Sequence, residues 1–159
     1  MERPWWSIFP APAIQSGLLK SLRPKAAQTF IPLHRKSPYT EEDLNYRNKE
    51  SRVVKEHDQP DLRPALAGDV PDWDKYETVY IGYPLWWRQA PHVVYSFVES
   101  HNFEGKTVIP FCTSTLDPIG TSGENLAKAA GSGNWLEGDR FNERESEKEI
   151  RNWVDSLKK

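Results

Sequence analysis

The stretch Tyr76–Ser100, YETVYIGYPLWWRQAPHVVYSFVES, decides how the rest of the chain is read. Its first part, TVYIGYP, is a β-branched and aromatic run, the pattern of a strand buried on both faces. Pro91 then suits the first turn of a helix, where its missing N–H is not needed. Val93, Val94, Phe97 and Val98 follow as an apolar stripe at helical spacing. Between strand and helix stand two adjacent tryptophans, Trp86 and Trp87, with Arg88 and Gln89 behind them. Large aromatics at the exit of a buried strand need a reason.

Working outward, the pattern repeats. GKTVIPFCT reads as a second buried strand. The loop STLDPIGTSG precedes a helix, ENLAKAA, and NWLEG reads as a short third strand. SEKEIRNWVDSL opens with Ser146 and carries Glu149 three residues on, a capping box. Ile150, Trp153, Val154 and Leu157 form the inner face of that helix. Strands alternating with helices imply a parallel sheet covered on both faces. In such sheets ligands sit outside the carboxyl ends of the strands. The tryptophan segment and the Ser/Thr/Gly-rich loop Thr113 to Gly123 both follow strands, so they should face one edge. Trp86, Trp87, Thr113, Ser114 and Gly120 are expected to line one cleft there.

The chain of 159 residues is long enough for one domain with a real core. A net charge of -2 gives no electrostatic case for nucleic acid as a partner. No apolar run approaches the roughly 20 residues of a membrane span, and a cytoplasmic location is expected. The one cysteine, Cys112, excludes an internal disulfide and reads as a core thiol. His34, His57, His92 and His101 show no metal spacing, although His92 opens the helix beside the proposed site.

The first half is less regular. Thr29 to His34, TFIPLH, is a short strand candidate. A long polar connection follows, in which Thr40 can cap a helix with Glu41, Glu42 and Asp43 in its first turn. Pro60, Pro64 and Pro71 keep the later part extended or turning. Such long excursions are uncommon unless they carry function or local structure. No Asp or Glu occurs from Arg3 to Thr40. Pro4, Pro10 and Pro12 interrupt the apolar stretch there, which disfavours a secretory signal.

These residues carry a resemblance. YIGYPLWW, FEGKTVIPFCTS, IGTSG and NWLEG together resemble the flavodoxin-like proteins of the short-chain FMN-binding type. In that family one strand ends in Tyr-Pro-any-Trp-Trp, a second ends in Pro-Phe-Cys-Thr, and a glycine/serine loop follows. The likeness runs from about Tyr39 to Leu157. It implies a doubly wound α/β sheet of order 2-1-3-4-5 that binds FMN noncovalently. Pro84, Leu85, Trp86, Trp87 and Arg88 would then form one ring-side loop. Thr113, Ser114, Ile119, Gly120 and Ser122 would form the other. Trp offers a large stacking face, and loop N–H groups can bond a flavin's polar edge.

Three departures from the family pattern stand out. Arg88 takes a place that is often glycine. Asp117 and Pro118 replace positions commonly serine and glycine. At the N-terminus, Trp5 to Phe9 could be the first strand and Ser16 to Leu22 the start of the first helix. The loop between them reads PAPAIQSG, where a phosphate-binding loop would offer N–H groups and hydroxyls. Pro10 and Pro12 have no N–H to give, which leaves Ser16 and Gly17 as weak phosphate-site candidates. Residues 1–28 are therefore read as an atypical segment, and 29–159 as the flavodoxin-like domain. The implied function is FMN-based electron transfer or NAD(P)H/quinone-type redox chemistry with a weakened phosphate site. Its partner would be a redox protein or a small-molecule substrate, and homodimerisation is left open. The alternative is a flavodoxin-fold interaction module that binds no flavin.

Overall fold

The computed structural model describes residues 33–142 and 145–157. Among the described residues four strands make one sheet: β1 (Thr78–Pro84), β2 (Thr107–Thr113), β3 (Asn134–Trp135) and β4 (Asp139–Phe141). β1 pairs in parallel with β2 along its whole length, from Thr78 opposite Thr107 to Pro84 opposite Thr113. On the other side of β2, β3 pairs with Thr107–Val108 and β4 with Phe111–Thr113, both in parallel. Among the described residues four α-helices accompany the sheet: α1 (Arg52–His57), α2 (His92–Ser100), α3 (Ser122–Ala130) and α4 (Glu147–Ser156).

Both faces of the sheet are covered. Ile81 and Tyr83 of β1 and Val108 and Cys112 of β2 join Val93, Val94, Phe97 and Val98 of α2 and Leu126 of α3 in the main core. The alternate side chain Phe111 packs instead with Phe141, Ile150 and Trp153 under α4. This is the period-2 division of a strand buried on both sides. The stripe on α2 is buried as its spacing requires. α4 starts at the expected capping box: Ser146 Oγ accepts from the Glu149 amide, and Glu149 accepts in return from the Ser146 amide at 2.7 Å. The α/β class with a parallel sheet is thus as the sequence implies. The expected first strand and first helix, and Ser16 and Gly17 with them, lie outside the described residues.

Three local expectations need correction. NWLEG is not one continuous strand: β3 stops at Trp135 and pairing resumes at Asp139. The cause lies on β2. Pro110 carries no N–H, so the ladder lacks a donor opposite 136–138. Gly138 passes close by, and a Cβ there would stand 2.1 Å from the Pro110 carbonyl oxygen. Second, Thr40 and Asp43 cap each other (Thr40 N to Asp43 Oδ2 2.8 Å, Asp43 N to Thr40 Oγ1 3.2 Å), but only turns follow. Asn45 and Asn48 draw the amides of Arg47 and Glu50 onto their own side chains, which competes with helical bonding. The helix of this connection comes later, as α1. Third, of the strand candidate Thr29–His34 only Leu33 and His34 lie within the described residues, and these two form no strand. Arg35 instead makes an isolated antiparallel bridge with Leu66.

The long polar connection is pinned at several points. Lys106, buried, donates to the carbonyls of Tyr76 (2.6 Å) and Trp73 (3.0 Å). The Trp73 indole donates to the carbonyl of Asn102. Arg63 pairs with Glu99 of α2 at 2.8 Å.

Candidate functional site

The carboxyl ends of β1 and β2 lie side by side, and the Leu85 amide donates to the Thr113 carbonyl at 3.0 Å. The chain leaving β1 makes a tight hairpin at once. Trp86 N donates to Gln89 O and Gln89 N to Trp86 O, each at 2.9 Å. Between them Trp87 (φ 48°) and Arg88 (φ 62°) are both left-handed. Two positive φ values in a two-residue loop define the type I′ turn, whose usual sequence is Asn-Gly. Each non-glycine residue held there costs about 1–2 kcal/mol. The glycine common at position 88 in the resembled family is therefore what the backbone favours, and Arg88 occupies a strained place.

The surroundings hold this turn. Gln89 Oε1 accepts from the Tyr95 hydroxyl of α2 (3.1 Å) and from Asn125 Nδ2 of α3 (2.9 Å). Arg88 Nε lies 3.3 Å from Asp117 Oδ1, so two departures from the family pattern meet as an ion pair between the loops. The pair is exposed and is worth at most about 1 kcal/mol. Trp86 and the Tyr39 ring make a T-shaped pair at 5.8 Å, and His57 lies flat on Trp87 at 4.4 Å, with the ring planes 7° apart. Trp87 remains 42% exposed.

The second loop is built differently. The Ser114 amide donates to the Phe141 carbonyl of β4 (3.0 Å), and Arg140 reaches the Ser114 carbonyl (3.3 Å). Leu116 projects into solvent at 85% exposure, and Gly120 is left-handed at φ 53°. Ser122 belongs to the first turn of α3 and is fully buried. Its hydroxyl donates to the Ile119 carbonyl (2.7 Å) and meets the Tyr83 hydroxyl at 2.8 Å. That hydroxyl therefore anchors the loop and does not face solvent. Burial raises the Tyr83 phenol above its ordinary value and pushes the Cys112 thiol up to about 12. Cys112 is thus a core thiol with no nucleophilic character at neutral pH.

Trp86, Trp87, Arg88, Thr113, Ser114 and the Ile119–Gly120 bend all gather at one edge of the sheet. Pro84 and Thr113 are buried beneath them, at the strand ends. A flat, partly polar ring suits this edge. It offers the exposed Trp87 indole, and among the described residues the N–H groups of Trp87, Arg88, Ile119 and Gly120 have no backbone acceptor. Gln89, Tyr95, Asn125, Tyr39, Glu56 and His57 were not singled out from the sequence as site residues. Only the placement of Gln89 directly behind the tryptophans signalled any of them. Among the described residues no cluster of His, Cys, Asp and Glu could hold a metal ion, and no helix is long and apolar enough to cross a membrane.

Known proteins add to this geometry. A family model described as flavodoxin matches residues 5–157. The fold is similar to a crystal structure of a candidate flavoprotein from Bacteroides eggerthii, at 36% identity and a TM-score of 0.81, covering 94% of this chain and 91% of that one. It is also similar to one from Bacteroides uniformis, at 31% identity and a TM-score of 0.81, covering 92% and 90%. No curated protein matches this chain.

Proposed function

This chain belongs to the flavodoxin family, and from that premise we propose that it binds FMN at the carboxyl edge of its sheet and serves in electron transfer or quinone-type redox chemistry. The observation that carries the reading is the strained Trp86–Gln89 turn, which presents Trp87 beside the Thr113 loop. Strain of this kind persists where surrounding contacts over-determine it, and such places cluster at ligand sites. When bound, a flavin would supply the one- or two-electron chemistry. The chain's own residues would hold the ring. Trp87 supplies a stacking face, and the amides of Arg88, Ile119 and Gly120 suit its polar edge. The Gln89 carboxamide keeps the turn seated on α2 and α3.

The test is direct. The purified protein should take up FMN and show absorption bands near about 370 and 450 nm. Trp87→Ala should weaken binding by about 1–3 kcal/mol, by analogy with stacking on nucleobases. Because PAPAIQSG is poor in phosphate donors, FMN and riboflavin should bind with similar affinity. Titrations in which FMN binds tightly and riboflavin does not would show a phosphate site that this sequence does not advertise. A second reading, an interaction module without flavin, is favoured by one observation: His57 already occupies a face of Trp87. A protein that remains colourless after saturation with FMN would support that reading over the first.

A further inference from the structure

α1 reaches both tryptophans through adjacent residues, Trp87 directly by way of His57 and Trp86 by way of Glu56 and Tyr39. Glu56 is buried, at 6% exposure, although it carries a charge. It receives Arg35 through two bonds, Nη2 to Oε1 at 2.8 Å and Nη1 to Oε2 at 3.1 Å. It also accepts the hydroxyl of Tyr39. Arg35 lies over the Tyr39 ring at 4.1 Å, and Arg52 of α1 approaches the same ring at 5.6 Å while donating to the Ser37 and Pro38 carbonyls. Tyr39 is thereby fixed at both its hydroxyl and its ring, and that ring is what Trp86 meets in a T-shaped contact. The next residue, His57, points about 100° around the helix and stacks on Trp87.

A six-residue helix has little stability of its own. Ser51, at its N-cap, makes no side-chain cap bond. What holds α1 in place is largely its tertiary contacts, and Glu56 makes the most deeply buried ionic one. A buried carboxylate is tolerated only with charge-assisted partners, and here it has three donors. Such a network selects one arrangement of the groups it joins.

We infer that Glu56 is a positioning residue for the tryptophan pair: through Tyr39 it sets the ring against Trp86, and through the placement of α1 it lays His57 on Trp87. The otherwise unexplained polar excursion after Leu33 thereby has a role, as the outer brace of the proposed ring-binding turn. Its affinity consequence rests on the flavin reading above, but its geometric content does not.

The experiment separates these two parts. In uniformly 15N-labelled protein, the indole N–H signals of Trp86 and Trp87 are followed against those of Trp73, Trp135 and Trp153. Glu56→Gln should move or broaden both signals of the pair and leave the other three in place. Tyr39→Phe, which cuts only the hydroxyl link, should move Trp86 alone, and His57→Ala should move Trp87 alone. If Glu56→Gln fails to fold, the double change Arg35→Met with Glu56→Met removes the buried pair without stranding a charge, and it should still release Trp86. Titration with riboflavin then reads the functional part. Loss of part of a stacking contact should weaken binding about three- to tenfold in Glu56→Gln. Unmoved Trp86 and Trp87 signals in a folded Glu56 variant, or equal shifts in Trp73, Trp135 and Trp153, would overturn the positioning role. Equal riboflavin affinity in parent and Glu56→Gln would overturn its bearing on binding. Selective indole shifts in a protein that takes up no flavin at all would uphold the brace and sink the flavin reading alone.

Discussion

The two loops at the carboxyl edge face the same backbone demand and meet it with opposite residues. The second loop turns through a left-handed position at Gly120, φ 53°, where glycine is unstrained. The first loop turns through Trp87 and Arg88, at φ 48° and 62°, and keeps both side chains despite the strain. The first is short and clasped by Gln89, Tyr39 and His57. The second is longer, leaves Leu116 in solvent, and is anchored mainly at its ends, by Ser114 and Ser122. The contrast shows two ways of holding a loop at one sheet edge. The first has its side chains held by contacts from other elements, whereas the second is tied down at its ends.

The sharpest way to break this contrast is at Ser122. Ser122→Ala leaves the Tyr83 hydroxyl without its partner in a fully buried place. It should cost about 1–3 kcal/mol of stability, read as a lowered midpoint in denaturant, and should loosen the second loop from its base. Gly120→Ala comes next. Among the described residues a Cβ there meets only the Pro118 carbonyl oxygen, at 3.9 Å, so the penalty is one of backbone strain. That strain is about 1–2 kcal/mol. Arg88→Gly runs the other way. It relieves strain at the first loop and removes an exposed ion pair worth at most about 1 kcal/mol, so stability should stay level or rise by up to about 1 kcal/mol. A clear loss on Arg88→Gly would mean that the pair with Asp117 does more than its exposure allows.

The smallest expected effect is a pH slope beneath the first loop. Burial lowers the pKa of His92, at the start of α2, with Arg63 and His57 acting in the same direction and Glu56 opposing. A neutral His92 is therefore favoured by the folded state. Above the unfolded value, near about 6.5, the group is neutral in both states and has no effect. As pH falls below that value the unfolded state takes up the proton more readily, and stability drops. Melting curves at pH 7.5 and 5.5 should show this loss in the parent and less of it in His92→Gln.

Much of the frame was readable because its signals are local. TVYIGYP, the Val93–Val98 stripe and the Ser146–Glu149 box each state their structure within a few residues, and each forms as read. What escaped depends on distant partners. The break after Trp135 is imposed by Pro110 on the neighbouring strand. Arg88 and Asp117 each read as an oddity until the fold brings them to 3.3 Å. Ser122 reads as a loop hydroxyl because nothing nearby announces that Tyr83 will cover it. Glu56 sits in a polar run, and only its meeting with Arg35 and Tyr39 distinguishes it from the solvated charges around it. The tryptophans were legible as candidates, whereas the handedness of their turn was not, because neither residue advertises a positive φ.

Cys112 has a practical consequence of another kind. It is the only thiol in the chain, lies on β2 with no exposed surface, and is held protonated by burial. A thiol reagent can reach it only when the sheet opens, so its labelling rate under native conditions is a clock for that opening. Fast reclosing makes the rate report the opening equilibrium, and slow reclosing makes it report the opening rate. The molecule thus carries its own gauge of sheet integrity, against which each substitution in either loop can be timed without adding a probe.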